Sequence, residues 1–568
     1  MPPSAEPAAR VRALEELLGD PREATNPLGH DALLEADRRR ELPDGGEKLL
    51  TAAGLHEELV PTAFGGRLDR LDAPARLLRA VFRRDFSLGL GFGAASLVAA
   101  AAVWAHGTPG QQARIARLLL DGGRISVMFH DIAHGNDFST SSVTAFPDGA
   151  GGLLLQGHKA VVTNADRADA LVVLARTGAG RAGGAHSAVL VERAHVPAGT
   201  VRDLPRYRAE GIRGCPVGGI EFAACPVPSH ALLGTAGGGT EVMLRCLQIT
   251  RPLIPAMALG CADTALRTVV ELAGSGGAHG VRSLDARYTR GAVAGAFLDL
   301  LLCDCLLLAA IRSLHLAPGD SSMATATAKY LVPRVLQEAA DDLAAILGPR
   351  VHREEGVYGV FRKQLRDLAG MPPGHAGAAA SLASLLPQLP SLARRSWPGS
   401  VPSPGGLFLP DGPLPPWDPA ALALAARRDP LAAALRDGPD RQGPRQTPLG
   451  TLVRRLADEL AALGEECRRL PEGEPGLLAN PRGFALAERY TLLAAAGACI
   501  GVWGSGDRAG DPDLLLGVLG RICLRLGLPV PAEAAHGADA AMSEVLARCA
   551  QGRTLDLYDE PLAGGTAP

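Results

Sequence analysis

From residue 8 to 122, apolar positions recur at helical spacing. The runs 75–84 and 110–120 each carry an apolar stripe against Arg or Gln, and Gly/Pro breaks such as PTAFGG (61–66) separate the runs. Between 125 and 233 the texture changes to short β-rich runs: ISVMF, LLLQG, KAVVTN, ALVVLAR, SAVLVER and IEFAACPV. Glycine turns lie between them, which predicts a small antiparallel barrel or sandwich. After Gly239 long helical patterns return. Residues 324–347 predict one helix with Leu331, Val335, Ala339, Leu343, Ile346 and Leu347 inward and Gly348 as its stop. The stretch 397–416, WPGSVPSPGGLFLPDGPLPP, is too rich in Pro and Gly to be regular. Asp418-Pro419 then predicts a helix start. Thr451 predicts another, with Leu452, Leu456, Leu460 and Leu463 inward and Gly464 ending it. The reading is an α+β chain: helical domain 1–124, β-domain 125–235, helical bundle 236–396, linker 397–417 and helical extension 418–568.

Composition narrows the function classes. A net charge of -3 with no basic face speaks against a nucleic-acid partner. The ten cysteines include Cys246, Cys261, Cys303 and Cys499 in apolar runs and form no CxxC pair, which predicts buried, reduced thiols and a cytoplasmic protein. The first twenty residues lack the apolar core of a signal peptide. Ser87–Ala105 is uncharged but built of Gly, Ala and Ser. It predicts a buried helix that lets neighbouring backbones approach, so no integral membrane segment is expected.

Six strings occur in a particular order: LVPTAFGG (59–66), RRDFSLGL (83–90), HGTPGQQARIARLLLDGG (106–123), GHKAVVTNADRAD (157–169), GIRGCP (211–216) and TRPLIPAMALG (250–260). Together they resemble the acyl-CoA dehydrogenase family over residues 40–378, and the C-terminal extension resembles that of its longer members. The resemblance implies FAD bound between the β-domain and the C-terminal helices, with a neighbouring subunit closing the site. It implies oxidation of an acyl thioester between its α and β carbons, a base taking the α-proton while hydride goes to the flavin.

The resemblance also implies residue roles. MFHDIAHGNDFS falls on the family's flavin-and-substrate loop, which makes Phe129, His130, Asp131 and Asn136 cofactor-binding candidates; Gly135 and Asp137 match the family identically. A rival reading of His130, Asp131 and His134 is a metal site, since HDxxH on a helix sets two imidazoles on one face. The run follows a strand and enters a Gly-Asn turn, which favours plain loop histidines. KAVVTN falls on the flavin strand, with Val161, Val162 and Thr163 as candidates. Thr163 sits where a hydroxyl meets the flavin near N5, and Val161 replaces the tryptophan that covers the ring. The second-subunit FAD motifs fall on Gly276–Gly280, without the phosphate-binding arginine, and on Ala345–Pro349, where only Gly348 matches. Substrate contacts fall on Asn136, Gln248 and Arg251.

The base is the open position. Counting from Arg366-Asp367, the family's carboxylate falls on His375 in the turn MPPGHAG. A minority of relatives carry a glutamate one residue before the arginine of the TRP-like string, which here is Thr250. Neither position holds a carboxylate. A neutral imidazole at His375 could take the α-proton at neutral pH; otherwise the turn is a remnant. Three functions stay in view: FAD-dependent α,β-dehydrogenation of a thioester carried by CoA or acyl carrier protein, flavin-dependent oxygenation on the same scaffold, and a silent thioester-binding subunit. The partners implied are an electron-transfer flavoprotein or O2 as acceptor and a second copy of the chain, as homodimer or homotetramer.

Overall fold

The computed structural model describes the chain except residues 1–5, 130–140, 179–184, 276–282, 372–376, 400–401, 442–446, 471–477, 479, 506–510 and 565–568. Helices α1 (Pro7–Leu18), α2 (His30–Arg39), α3 (Gly46–Ala52), α4 (Asp72–Arg84), α5 (Phe86–Gly89), α6 (Ala95–His106) and α7 (Pro109–Leu120) come first. Among the described residues eight strands follow: β1 (Ile125–Met128), β2 (Val143–Pro147), β3 (Leu153–Thr163), β4 (Ala170–Arg176), β5 (His186–Glu192), β6 (Val201–Leu204), β7 (Val217–Val227) and β8 (Leu232–Leu233). The remaining helices are α8 (Gly239–Gly274), α9 (Arg287–Leu316), α10 (Ser322–Leu347), α11 (Gly356–Leu368), α12 (Ala378–Leu385), α13 (Leu389–Arg395), α14 (Pro430–Arg441), α15 (Pro448–Arg468), α16 (Pro481–Trp503), α17 (Pro512–Arg525) and α18 (Ala534–Ala550). The chain divides into two compact units. One holds residues 1–17 and 35–250; the other holds 18–34 and 251–568 and so takes bundle and extension together.

In the first unit the strands form a single sheet in the order β6-β7-β3-β2-β4-β5-β8, with β1 added beside β4. Most ladders are antiparallel, as the glycine turns predict. However, β1 runs parallel to β4 from Ile125↔Ala170 to Met128↔Val173, which makes the sheet mixed. The long excursion between β1 and β4 brings the chain back in the same direction, as a parallel pair requires. Met128, Leu155, Val162, Leu171, Val189, Ile220 and Phe222 form the core of this sheet.

The segment 87–105 is buried as expected but is not one regular helix. A widened π turn, Leu90–Ala94, separates α5 from α6. A Cβ on Gly89 would lie 2.2 Å from the Phe82 ring, and one on Gly93 would lie 2.9 Å from Leu78, so these glycines let the segment press onto α4. Every residue of α4 is buried, arginines included, which departs from a solvent-facing polar side. Arg83 and Arg84 both reach Glu15 on α1.

Among the described residues four helices, where the sequence singled out one, are long and apolar enough to cross a membrane: Phe86–His106, Gly239–Gly274, Arg287–Leu316 and Pro481–Trp503. Their apolar windows are 78–100% buried inside the structure. All ten cysteines are free thiols, nine of them buried.

In the second unit α10 ends at Leu347, and Gly348 at φ 54 stops it. Two expected helix starts move. Asp418 caps only a short turn, Pro419–Ala421. The helix begins at the next Asp-Pro pair, where Asp429 accepts from Ala432 N, Trp397 Nε1 and Tyr490 Oη, at 3.1, 2.9 and 2.8 Å. α15 starts one turn before Thr451, with Thr447 accepting from Gly450 N at 3.0 Å. Gly464 lies inside α15 rather than at its end, on the side of the helix that faces the Trp397 ring. The linker is irregular yet held. Arg312, fully buried on α9, donates to Gly406 O, Gly412 O and Pro413 O at 2.7, 3.0 and 3.1 Å.

Candidate functional site

The residues singled out on the flavin strand sit at the end of β3. Between Lys159↔Ile220 and Val162↔Gly218, β3 takes three steps while β7 takes two, a bulge that breaks the alternation. Val161 is turned outward and is 38% exposed, Val162 enters the sheet core, and Thr163 is half-buried beside Val161 on the outer face. Thr163 Oγ1 has no partner among the described residues. The Val162 side chain is committed to the core, which leaves only its backbone to meet a ligand.

The strand end is clamped at the neighbouring residue, Asn164, which matches the family's strand at the last position of KAVVTN but is not among the site candidates. Ser126 Oγ donates to Thr163 O at 2.7 Å. Asn164, fully buried at φ 57, donates Nδ2 to Gly91 O in the π turn at 2.8 Å, and its backbone N donates to Pro216 O at 2.6 Å. Asn164 Oδ1 is buried without a partner among the described residues. Asparagine tolerates the left-handed region and carries the donor the π turn needs. Its signal in the sequence was the glycine-rich SLGLGFGA, some seventy residues upstream. Phe129 follows β1 and is buried.

His130, Asp131, His134, Asn136 and His375 lie outside the described residues, as do Gly276–Gly280. Among the described residues no group of three or more His, Cys, Asp or Glu could hold a metal. Gln248, Thr250 and Arg251 lie on α8, all buried. Pro252 and Pro255 remove the N–H groups that would pair with the carbonyls of Gln248 and Arg251. The Thr250 hydroxyl donates back to Leu247 O at 3.4 Å. Arg251 Nη2 donates to Ser384 Oγ at 2.7 Å, and burial pulls its pKa down to about 10. Lys329 on α10 was not foreseen. It is buried, donates Nζ to Met371 O at 3.1 Å, and burial followed by the Arg251 charge brings it down to about 7.

The profile of the acyl-CoA dehydrogenase middle domain matches residues 127–225, and that of the family's C-terminal domain matches 237–375. Residues 127–225 and 237–375 match the acyl-CoA dehydrogenase family. Mitochondrial isovaleryl-CoA dehydrogenase of Oryza sativa subsp. japonica is 25% identical over 223 residues, 39% of this chain and 54% of that protein. The chain thus spans about half the length of that curated relative. Among solved structures, butyryl-CoA dehydrogenase from Megasphaera elsdenii shares the fold at TM-score 0.60 and 18% identity, over 66% of this chain and 97% of that one. The prolyl acyl carrier protein oxidase AnaB does so at TM-score 0.58 and 17% identity, over 67% and 97%.

The outer face of β3 fits a flat ring system: the bulge presents an exposed Val161, and the Thr163 hydroxyl beside it has a donor and acceptor to offer. The family implies FAD, and Val161, Thr163 and the backbone of Val162 are the described residues that could hold its ring.

Proposed function

We propose that the chain is an FAD-dependent oxidoreductase that dehydrogenates an acyl thioester between its α and β carbons, on CoA or acyl carrier protein. The observation that carries this reading is the bulged end of β3, which turns Val161 and Thr163 outward on the strand that aligns with the family's flavin strand. Bound FAD supplies the hydride acceptor. The chain's own part is to orient and to move a proton. The Thr163 hydroxyl would donate a hydrogen bond to the bound ring, Val161 would set its spacing to the strand, and the buried core behind Val162 would exclude water from that side. His375, by its position in the sequence, takes the α-proton as a neutral imidazole. In this reading the chain works in the cytoplasm as a homodimer or homotetramer and passes electrons to an electron-transfer flavoprotein or to O2.

The exposed Val161 favours a second reading, oxygenation, because a small side chain leaves that face open to O2. Reconstitution separates the redox readings from a silent subunit. Incubation with excess FAD followed by desalting leaves a yellow protein in either redox case, and a colourless one would end both.

A further inference from the structure

A flat three-ring system laid on the outer face of β3 does not stop at that strand. Neighbouring strands lie about 4.8 Å apart, so the ring reaches across β7 to β6, a span of about 10 Å. β7 alternates Val217, Gly219 and Glu221 onto the face it shares with Thr163 and His158, its partners at Thr163↔Val217 and His158↔Glu221. Gly219 stands opposite the bulge. A Cβ there would meet Lys159 O and Ala160 O at 3.0 and 3.1 Å, a tight fit that favours glycine. Leu204 of β6 pairs with Gly219 and lays its side chain over it, with Cδ1 3.0 Å from the place of that Cβ. Val161, the bare backbone of Gly219 and Leu204 thus make one low apolar row across three strands. The chain beyond β6 stays at this end of the sheet. Tyr207 N donates to Val217 O at 2.8 Å, which places residue 207 beside the Thr163–Val217 pair. Arg206 Nε donates to Asp166, in the turn that follows β3, at 2.7 Å. The Tyr207 side chain is 47% exposed, and its ring and hydroxyl have no partner among the described residues.

Tyr207 is thus fixed by its backbone and free at its side chain. Such a ring can turn about its Cα–Cβ bond between staggered rotamers and bury apolar surface against a flat ligand. Val161 offers that ligand no aromatic contact, and Thr163 offers it a hydroxyl. We propose that Leu204 and Tyr207 complete the platform for the flavin ring, Leu204 as the floor beyond β3 and Tyr207 as the aromatic contact that Val161 does not give. The proposal rests on the function proposed above and extends its site from one strand to three. The cover of the ring then comes from the segment after β6 rather than from β3 itself.

The test is reconstitution of the full-length protein with FAD, read by affinity and by the fluorescence of the bound flavin. An excited flavin in contact with a tyrosine or tryptophan takes an electron from it and returns it without emitting; phenylalanine stacks but is too hard to oxidise. Tyr207→Ala therefore weakens FAD binding about three- to tenfold, the worth of one aromatic contact, and brightens the bound flavin several-fold. Tyr207→Phe keeps the wild-type affinity and is as bright as the alanine variant, and Tyr207→Trp restores both properties. Leu204→Ala weakens binding about tenfold and leaves the flavin dim. Tyr288→Ala, at a tyrosine 64% exposed on α9, changes neither. A wild type that takes up no FAD overturns the function proposed above and this platform with it. A wild type that binds FAD while Tyr207→Ala stays dim, or while Leu204→Ala keeps its affinity, overturns the platform alone.

Discussion

Asn164→Ala removes one donor and one tolerated backbone geometry at once. The buried carbonyl of Gly91 loses the partner it has at 2.8 Å, which costs about 1–3 kcal/mol. Alanine held at φ 57 adds about 1 kcal/mol. The sum is about 2–4 kcal/mol, local to the joint between the π turn and the end of β3. Asn164→Gly isolates the first contribution, since glycine adopts that φ freely. Hydrogen exchange followed by mass spectrometry, on peptides covering 86–100 and 153–176, reads the effect where it falls. Both variants lose protection in both peptides, Ala more than Gly, while peptides from α9 and α16 are unchanged. Protection equal to the wild type in both variants would refute the clamp. Loss of FAD with unchanged protection would make Asn164 a ligand rather than a joint.

Arg312→Met strands three linker carbonyls and costs about 3 kcal/mol, read as faster limited proteolysis within 402–416. Gly497→Ala destabilises by about 1–3 kcal/mol in urea despite alanine's better helix propensity, because its Cβ would meet Leu431 O at 2.0 Å. Burial, then the Arg251 charge, bring Lys329 from its ordinary 10.5 down to about 7 in the folded chain, so its penalty is full below about pH 7 and fades as pH rises toward 10.5. Wild type therefore gains stability on Lys329→Met between those values, and a pH-independent difference in urea midpoints would contradict this.

Much of the fold was legible because the recognisable strings are joints. Trp104 Nε1 donates to Leu59 O at 3.2 Å, at the start of LVPTAFGG. In RRDFSLGL, Asp85 caps α5 by accepting from Leu88 N at 2.6 Å. In HGTPGQQ, Thr108 and Gln111 form a capping box, and Gln111 Nε2 also donates to His230 O and Leu232 O at 2.9 and 3.0 Å. GHKAVVTN and GIRGCP meet where Asn164 N donates to Pro216 O. Residues that fix backbone joints leave local marks, so their spacing reveals architecture. Long-range choices do not. Nothing local says that Asp429 rather than Asp418 finds a tryptophan and a tyrosine, or that Gly464 faces Trp397 from inside a helix instead of ending one. The π turn and the parallel β1 likewise depend on partners far along the chain. Of the site candidates, Val161 and Thr163 share the outer face of β3, whereas His130, Asp131, Asn136 and His375 lie outside the described residues. Lys329 looks like any lysine in a helical run, and its burial beside Arg251 is a tertiary fact.

The most direct test of the proposed chemistry is anaerobic mixing of the FAD-loaded protein with acyl thioesters, followed at the flavin absorbance. α,β-Dehydrogenation predicts bleaching with at least one CoA or carrier-protein thioester, slowed by roughly 10²–10⁴-fold in His375→Ala, the contribution of a positioned base. A flavin that stays oxidised with every thioester, or an unchanged bleaching rate in His375→Ala, would contradict the account at the reaction or at its base respectively.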